Sequence, residues 1–311
     1  MKAKKRDEKE EATNESKVSF LSGFIAAILV ILLSTVFVAP VSAAELHVGP
    51  GQTYTTIQAA INAADTDDTI IVHDGTYNEN VIVNKSDITI RSDNGSSVTT
   101  IKSNATDKHV VDITDQTNVT LDSFTIRDAR GTNQHVAGIN LYNASECNIS
   151  NNFVTNISAT GDYASYGICL KQDSNNNSVS SSTVSYINAT NWNACGIWLS
   201  WSDNNTFSSS TTVSFINATH DAFGIWLWDS TNNSFSSSTN VSFINAGDYA
   251  YGILLSSSNN NTFSSSTTVS NVNAPSAEGI GLLLSNNNSF SSSTTVSYIN
   301  AGDYAYGIYL K

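Results

Sequence analysis

Residues 224–251 read GIWLWDSTNNSFSSSTNVSFINAGDYAY, and this phrase of 28 residues decides the fold. It returns down the C-terminal half of the chain. Gly167-Ile168, Gly196-Ile197, Gly224-Ile225, Gly252-Ile253, Gly279-Ile280 and Gly307-Ile308 open the copies, in steps of 29, 28, 28, 27 and 28 residues. A second marker keeps the same interval: Asn177-Ser178-Val179, Asn205-Thr206-Phe207, Asn233-Ser234-Phe235, Asn261-Thr262-Phe263 and Asn288-Ser289-Phe290. Val184, Val213, Val241, Val269 and Val296, each followed by Ser, make a third. A fixed period of this length describes a solenoid, in which each copy buries its apolar face against its neighbours.

Within one copy, Ile225 and Leu227 alternate with Trp226, the period-two signature of a strand. Residues 229–233 are turn formers. Ser234-Phe235-Ser236 makes a second short strand, and residues 237–240 turn again. Val241 to Ala246 makes a third strand, and residues 247–251 are expected to loop back to the next Gly-Ile. Ser, Asn, Thr and Gly disfavour helix interiors, so a helical repeat is a poor alternative. Three strands and three turns make one coil of a parallel β-helix. Stacked about 4.8 Å apart, Phe207, Phe235, Phe263 and Phe290 form an internal aromatic file. Ile197, Ile225, Ile253 and Ile280 form an aliphatic one, and Asn205, Asn233, Asn261 and Asn288 an amide ladder. The pattern reaches back through Gly138-Ile139 and Val110-Val111 to Ile70-Ile71-Val72. About eight or nine coils are expected, a rod of roughly 40 Å.

Residues 1–17 are rich in charge and 18–44 carry none. The apolar run from Phe24 to Leu33 sits behind Lys2, Lys4, Lys5, Arg6 and Lys17, and ends in Pro40-Val41-Ser42-Ala43-Ala44. This is the plan of a secretory signal cut near Ala43 or Ala44; uncut, it is long enough to anchor the chain in a bilayer. Either way the repeats lie outside the cytoplasm, and membrane contact is limited to 18–44. The formal net charge is −13, charged residues are 13%, and beyond Arg130 only Lys171 and Lys311 are basic. That excludes the basic footprint nucleic acid needs. Cys147, Cys169 and Cys195 make no disulfide framework. Cys169 falls two places after its Gly and Cys195 one before, so the pair is offset and expected free.

The segment from Tyr54 to Ala64 is the one helix candidate. It is followed by Ile70-Ile71-Val72-His73-Asp74-Gly75-Thr76-Tyr77-Asn78-Glu79. This opening resembles right-handed parallel β-helix proteins of the pectin-lyase-like superfamily, where a short helix caps the first coil and a strand runs into such a turn. The Gly-Ile-x-Leu and Asn-Asn-x-Phe copies resemble NosD-like repeats of archaeal and bacterial surface proteins. The resemblance covers about 45–311 and implies an all-β fold: cap at 45–68, irregular coils at 69–166, regular coils at 167–311. It implies little about function, because the superfamily holds lyases, hydrolases, adhesins and structural proteins. A cap would protect one row of unpaired strand edges. The other end, at Tyr309-Leu310-Lys311, has no cover in this sequence: either the sequence is a fragment, or this end docks on something, such as an envelope assembly partner.

The superfamily's enzymes imply carboxylates gathered on one face, with Ca²⁺ and a basic residue in the lyases. In the regular copies the acids are isolated. In the irregular front, Asp112, Asp128, Arg130 and His135 lie within about one coil and are the candidates for acid–base chemistry. His109 and His135, each before a Val, are expected to stack on adjacent coils. No third ligand completes a metal site, one Met and scattered histidines give copper little support, and no cofactor is implied.

Two features suit binding. Trp198 and Trp226, between the core positions of their strands, face outward with Trp228 two residues on, a surface fit for sugar rings or a partner. Residues near Tyr249 and Tyr251 could instead fold over them. The sequons at Asn176, Asn204, Asn232, Asn260 and Asn287 fall at one turn of successive coils and are candidates for N-glycosylation in an exported chain. The leading reading is a non-catalytic exported β-helix for adhesion, glycan contact or envelope structure. The alternatives are an extracellular polysaccharide lyase or hydrolase, and a carbohydrate-binding module using Trp198, Trp226 and Trp228.

Overall fold

The 28-residue period closes into the expected coil. A computed structural model describes residues 42–311, which wind into a right-handed parallel β-helix with one short helix, Ile57–Ala63. The charged segment 1–17 and most of the signal or anchor 18–44 lie outside the described residues. No helix among the described residues is long and apolar enough to cross a membrane.

One sheet holds ten parallel strands, from Glu45–Val48 through Thr69–Val72 to Ser289–Phe290. Ten coils therefore stack where eight or nine were expected. The addition is Glu45–Val48, which pairs in register with Thr69–Val72 and so belongs to the solenoid as well as to the cap. The other strands form two further faces, one carrying the Gly-Ile pairs and one the Val-Ser pairs. Ile139, Ile168, Ile197, Ile225 and Ile253 follow one another in register on the first, and Val154, Val184, Val213 and Val241 on the second.

The core is the set of stacked files. Phe207, Phe235, Phe263 and Phe290 lie ring on ring, with centroids 4.5, 4.4 and 4.6 Å apart. The amide ladder forms as well, and its bonds run mainly to backbone. Asn233 Oδ1 accepts from the Asn205 backbone N–H at 2.8 Å, and Asn261 Oδ1 from that of Asn233 at 2.8 Å. Asn233 Nδ2 donates to the Ser202 carbonyl at 3.1 Å. Each buried amide thus satisfies a turn whose backbone would otherwise go unpaired, an omission costing about 1–3 kcal/mol per group.

The opening motif has a local physical role. Thr56 caps the helix, its Oγ1 accepting from the Ala59 N–H at 3.2 Å. Glu79 adds two acceptors, for the Ile57 and Gln58 N–H groups at 2.9 and 3.0 Å. A carboxylate at this end also suits the helix dipole. Tyr77 donates its hydroxyl to the carbonyls of Val48 at 3.1 Å and His73 at 2.8 Å. Ile57, Ala60 and Ile61 are buried against the first strands. At the far end the last coil leaves Ile308 58% and Leu310 69% exposed, since no later described coil covers those core files.

Candidate functional site

Strict alternation fails at the Gly of each Gly-Ile pair, and that failure builds the site. In Ala222–Trp228 both Ala222 and Ile225 are core residues, separated by two positions instead of one. Gly224 turns the corner between them. A Cβ there would collide with Val241 Cγ1 and stand 2.5 Å from the Gly252 carbonyl oxygen, so only glycine fits. The bend sends the residue before Gly outward as well as the residue two after it.

Two outward files result, side by side. One runs Tyr166, Cys195, Phe223, Tyr251, Glu278, Tyr306. The other runs Asp112, Asn140, Cys169, Trp198, Trp226, Leu254, Gly281, Tyr309. The files meet in an inside corner and pack as a second apolar cluster, outside the solenoid core. Tyr166 stacks on Trp198 at 4.7 Å, Phe223 on Trp226 at 4.4 Å, Trp198 on Trp226 at 5.8 Å and Phe223 on Tyr251 at 5.3 Å. Trp228 lies 6.2 Å from Trp226, and Trp201, from the following turn, 5.2 Å from Trp228.

Trp198, Trp226 and Trp228 thus stand on one surface strip. Trp198 and Trp226 are half-buried by neighbouring rings. Tyr249 and Tyr251 do not loop over them: both belong to the strand Tyr249–Ser256, which begins earlier than the sequence suggested. The sequence did not place Tyr166, Phe223 or Tyr251 in this strip, Tyr251 being expected in a covering loop, and did not single out Trp201. Period-two counting puts the first three on the inner face; the signal that corrects it is the invariant Gly between two apolar residues. Both indole Nε1 atoms, of Trp198 and Trp226, are buried without a hydrogen-bond partner. Their polar edges are closed, and the strip offers solvent apolar ring surface.

A further external file also escaped the sequence reading. Tyr186, Phe215 and Phe243 stack at 4.8 Å with interplanar angles of 4° and 2°. Each holds φ near +57° (56°, 57° and 57°). A left-handed backbone costs about 1–2 kcal/mol per residue, and ring stacking offsets it by about 0.5–1.5 kcal/mol.

The acid–base candidates divide between two places. Asp128 and Arg130 line a cleft of about 220 Å³ with Lys102, Ser103, Asn104, Ala105 and Thr106. There Asp128 lies 3.8 Å from both Lys102 Nζ and Arg127 Nη1, and accepts from Asn156 Nδ2 at 2.5 Å. Asp112 and His135 belong to the Gly-Ile face instead. Asp112 accepts from Asn140 Nδ2 at 2.8 Å and from Thr114 Oγ1 at 3.0 Å. His135 Nδ1 accepts from the Ala164 N–H at 2.8 Å, and His109 Nδ1 from the Ala137 N–H at 2.9 Å. Register therefore sets His109 beside Ala137, two residues from His135, and the histidines do not share a file. Burial lowers His109 to a pKa of about 4, and lowers His135 too, with Lys171 contributing. Among the described residues no three His, Cys, Asp or Glu side chains converge as metal ligands.

Cys169 and Cys195 are free and buried, one file apart as the offset required. The sequon residues Asn176, Asn204, Asn232, Asn260 and Asn287 are all exposed, with φ between 55° and 58°, at one turn of successive coils.

Among solved structures, an alginate lyase from Paenibacillus sp. str. FPU-7 matches with a TM-score of 0.45 and 14% identity, over 84% of this chain and 99% of that one. The pectin methylesterase from carrot matches with a TM-score of 0.35 and 11% identity, over 87% and 88%. A GH136 lacto-N-biosidase from Eubacterium ramulus gives 0.36 and 10%, over 86% and 68%. These likenesses concern the winding of the chain and carry nothing about its chemistry. No family model matches the chain, and no curated protein does. What the chain shares with these structures is the right-handed parallel β-helix.

Proposed function

We propose that this protein is an exported, non-catalytic β-helix that holds an extended glycan along the ring strip of its Gly-Ile face. One observation carries the reading: Trp198, Trp226, Trp228 and Tyr251 form a part-exposed aromatic strip across three coils, outside the solenoid core and backed by the buried rings of Tyr166 and Phe223. Rings on a rigid sheet lose little freedom on binding, and their apolar faces match the C–H faces of sugars. Export by residues 18–44, glycans on the exposed sequon row and a NosD-like kinship of the repeats belong to the same proposal.

Binding to a panel of neutral and acidic polysaccharides, followed by tryptophan fluorescence, tests it. Trp226→Ala and Trp198→Ala are each expected to weaken binding about tenfold, the loss of about 1.4 kcal/mol, with the fold intact by circular dichroism. Unchanged affinity in both variants would overturn the strip as the site. The second reading, a polysaccharide lyase or hydrolase, is favoured by the cleft holding Asp128, Lys102 and Arg130. Release of reducing ends that disappears in Asp128→Ala would establish it in place of the first.

A further inference from the structure

One coil departs from the repeat at both outward positions. Before its Gly, where neighbouring coils carry Tyr251 and Tyr306, it has Glu278. Two residues after that Gly, where neighbours carry Leu254 and Tyr309, it has Gly281. The departures are spatially linked: a Cβ on Gly281 would strike Glu278 Oε2 and stand 3.0 Å from Leu254 Cδ1. The carboxylate thus folds into the gap its own coil leaves open.

Around it is a cleft of about 200 Å³, lined by Tyr249, Tyr304, Tyr306 and Tyr309 with Ser276, Ala277 and Glu278. Tyr249, on an internal coil, is 51% exposed, so the cleft is open to a ligand. No Lys, Arg or His lines the cleft. Glu278 Oε2 is buried without any hydrogen-bond donor. Burial raises the Glu278 pKa, as expected for a carboxylate that lacks a compensating partner.

We infer that this notch receives a protonated amine carried by the glycan, the ammonium group of an amino sugar without its acetyl group. The inference rests on the ring strip as a glycan site and names one sugar that site selects. Tyrosine faces attract a cation through their quadrupoles. The ammonium would supply the counter-charge and hydrogen-bond donor that no protein residue gives the Glu278 carboxylate. An acetylated nitrogen offers no charge, and its acetyl group would meet the Glu278 carboxylate that already fills the gap at Gly281.

The test uses the full chain with D-glucosamine and N-acetyl-D-glucosamine, monomers that need only the notch, titrated at pH 6 by ligand-observed NMR. Glucosamine is expected to bind at least tenfold more tightly than its acetylated form. Glu278→Gln should abolish the difference. Gly281→Leu, which installs the residue found one coil earlier, should block both monomers. Equal affinity for the two sugars, or a preference that survives Glu278→Gln, would overturn the inference. The corresponding oligosaccharides separate it from the strip. Oligomers that bind with a Trp226→Ala defect but no amine preference would leave the strip standing without the notch. Monomer selectivity with no gain in affinity on lengthening the sugar would leave the notch standing without the strip.

Discussion

His109 shows how a single residue is bound into the solenoid. Its Nδ1 takes the Ala137 N–H of the next coil, so the other nitrogen carries the proton when the ring is neutral. Burial lowers its pKa from 6.5 to about 4. Between these values the unfolded chain binds more protons than the folded one, so stability falls as pH drops from about 6.5 towards about 4. The shift corresponds to on the order of 3 kcal/mol across that range. Urea midpoints of the wild type at pH 7 and pH 4.5 are expected to differ by more than those of His109→Gln. An equal pH dependence in the two proteins would remove His109 as the source. The same residue illustrates what the sequence concealed. His109 and His135 look like neighbours, each before a Val, yet a register of 28 residues puts Ala137 beside His109.

At the scale of the element, the decisive feature is the corner glycine. The Gly-Ile strand and its core files were legible in the sequence, because Ile225 and Leu227 alternate with Trp226. The bend was not, because a glycine inside a strand pattern carries no sign of which way its neighbours turn. Gly224→Ala should therefore be severe for so small a change. The added methyl meets Val241 and the Gly252 carbonyl, and backbone cannot step aside as a flexible side chain can. Overpacking of this kind costs about 1–3 kcal/mol. Thermal unfolding should show a clearly lowered Tm, whereas Gly302→Ala, where nothing lies within 4 Å, should leave it near the wild-type value. Similar losses in both variants would refute the corner. The aromatic strip is a consequence of the same bend. Trp198, Trp226 and Trp228 could be named from alternation, while Tyr166, Phe223 and Tyr251 became partners only once the strand turned.

At the scale of the whole molecule, each coil rests on its two neighbours, so the protein should tolerate losing one coil in register. Deleting residues 224–251 joins Phe223 to Gly252 and keeps every file continuous. Nearest-neighbour stacking predicts a shorter, folded rod of lower stability. Deleting residues 224–237 instead removes most of the coil's first strand and all of its second and carries the third, Thr239–Ala246, onto the wrong face, and should give an unfolded or aggregating chain. Circular dichroism and sedimentation of the two deletions decide the matter. Equal damage in both would mean the coils do not act as interchangeable units.

The sequence by itself determined the period, the strand-and-turn order within a coil, the residues of the core files and a helix within Tyr54 to Ala64. Each of these is set by local chemistry that repeats: alternation, turn-forming Asn and Ser, an N-cap. It also pointed to the opening motif, although the work of Glu79 on the helix and of Tyr77 on two carbonyls appeared only on folding. The tertiary structure alone decided which side chains meet across coils. It parted Asp112 from the cleft of Asp128 and Arg130, drew Tyr166 and Phe223 onto the tryptophans, and closed Glu278 over Gly281. Contacts between coils depend on register and on the direction of the backbone at one glycine, and no window of a single coil records either.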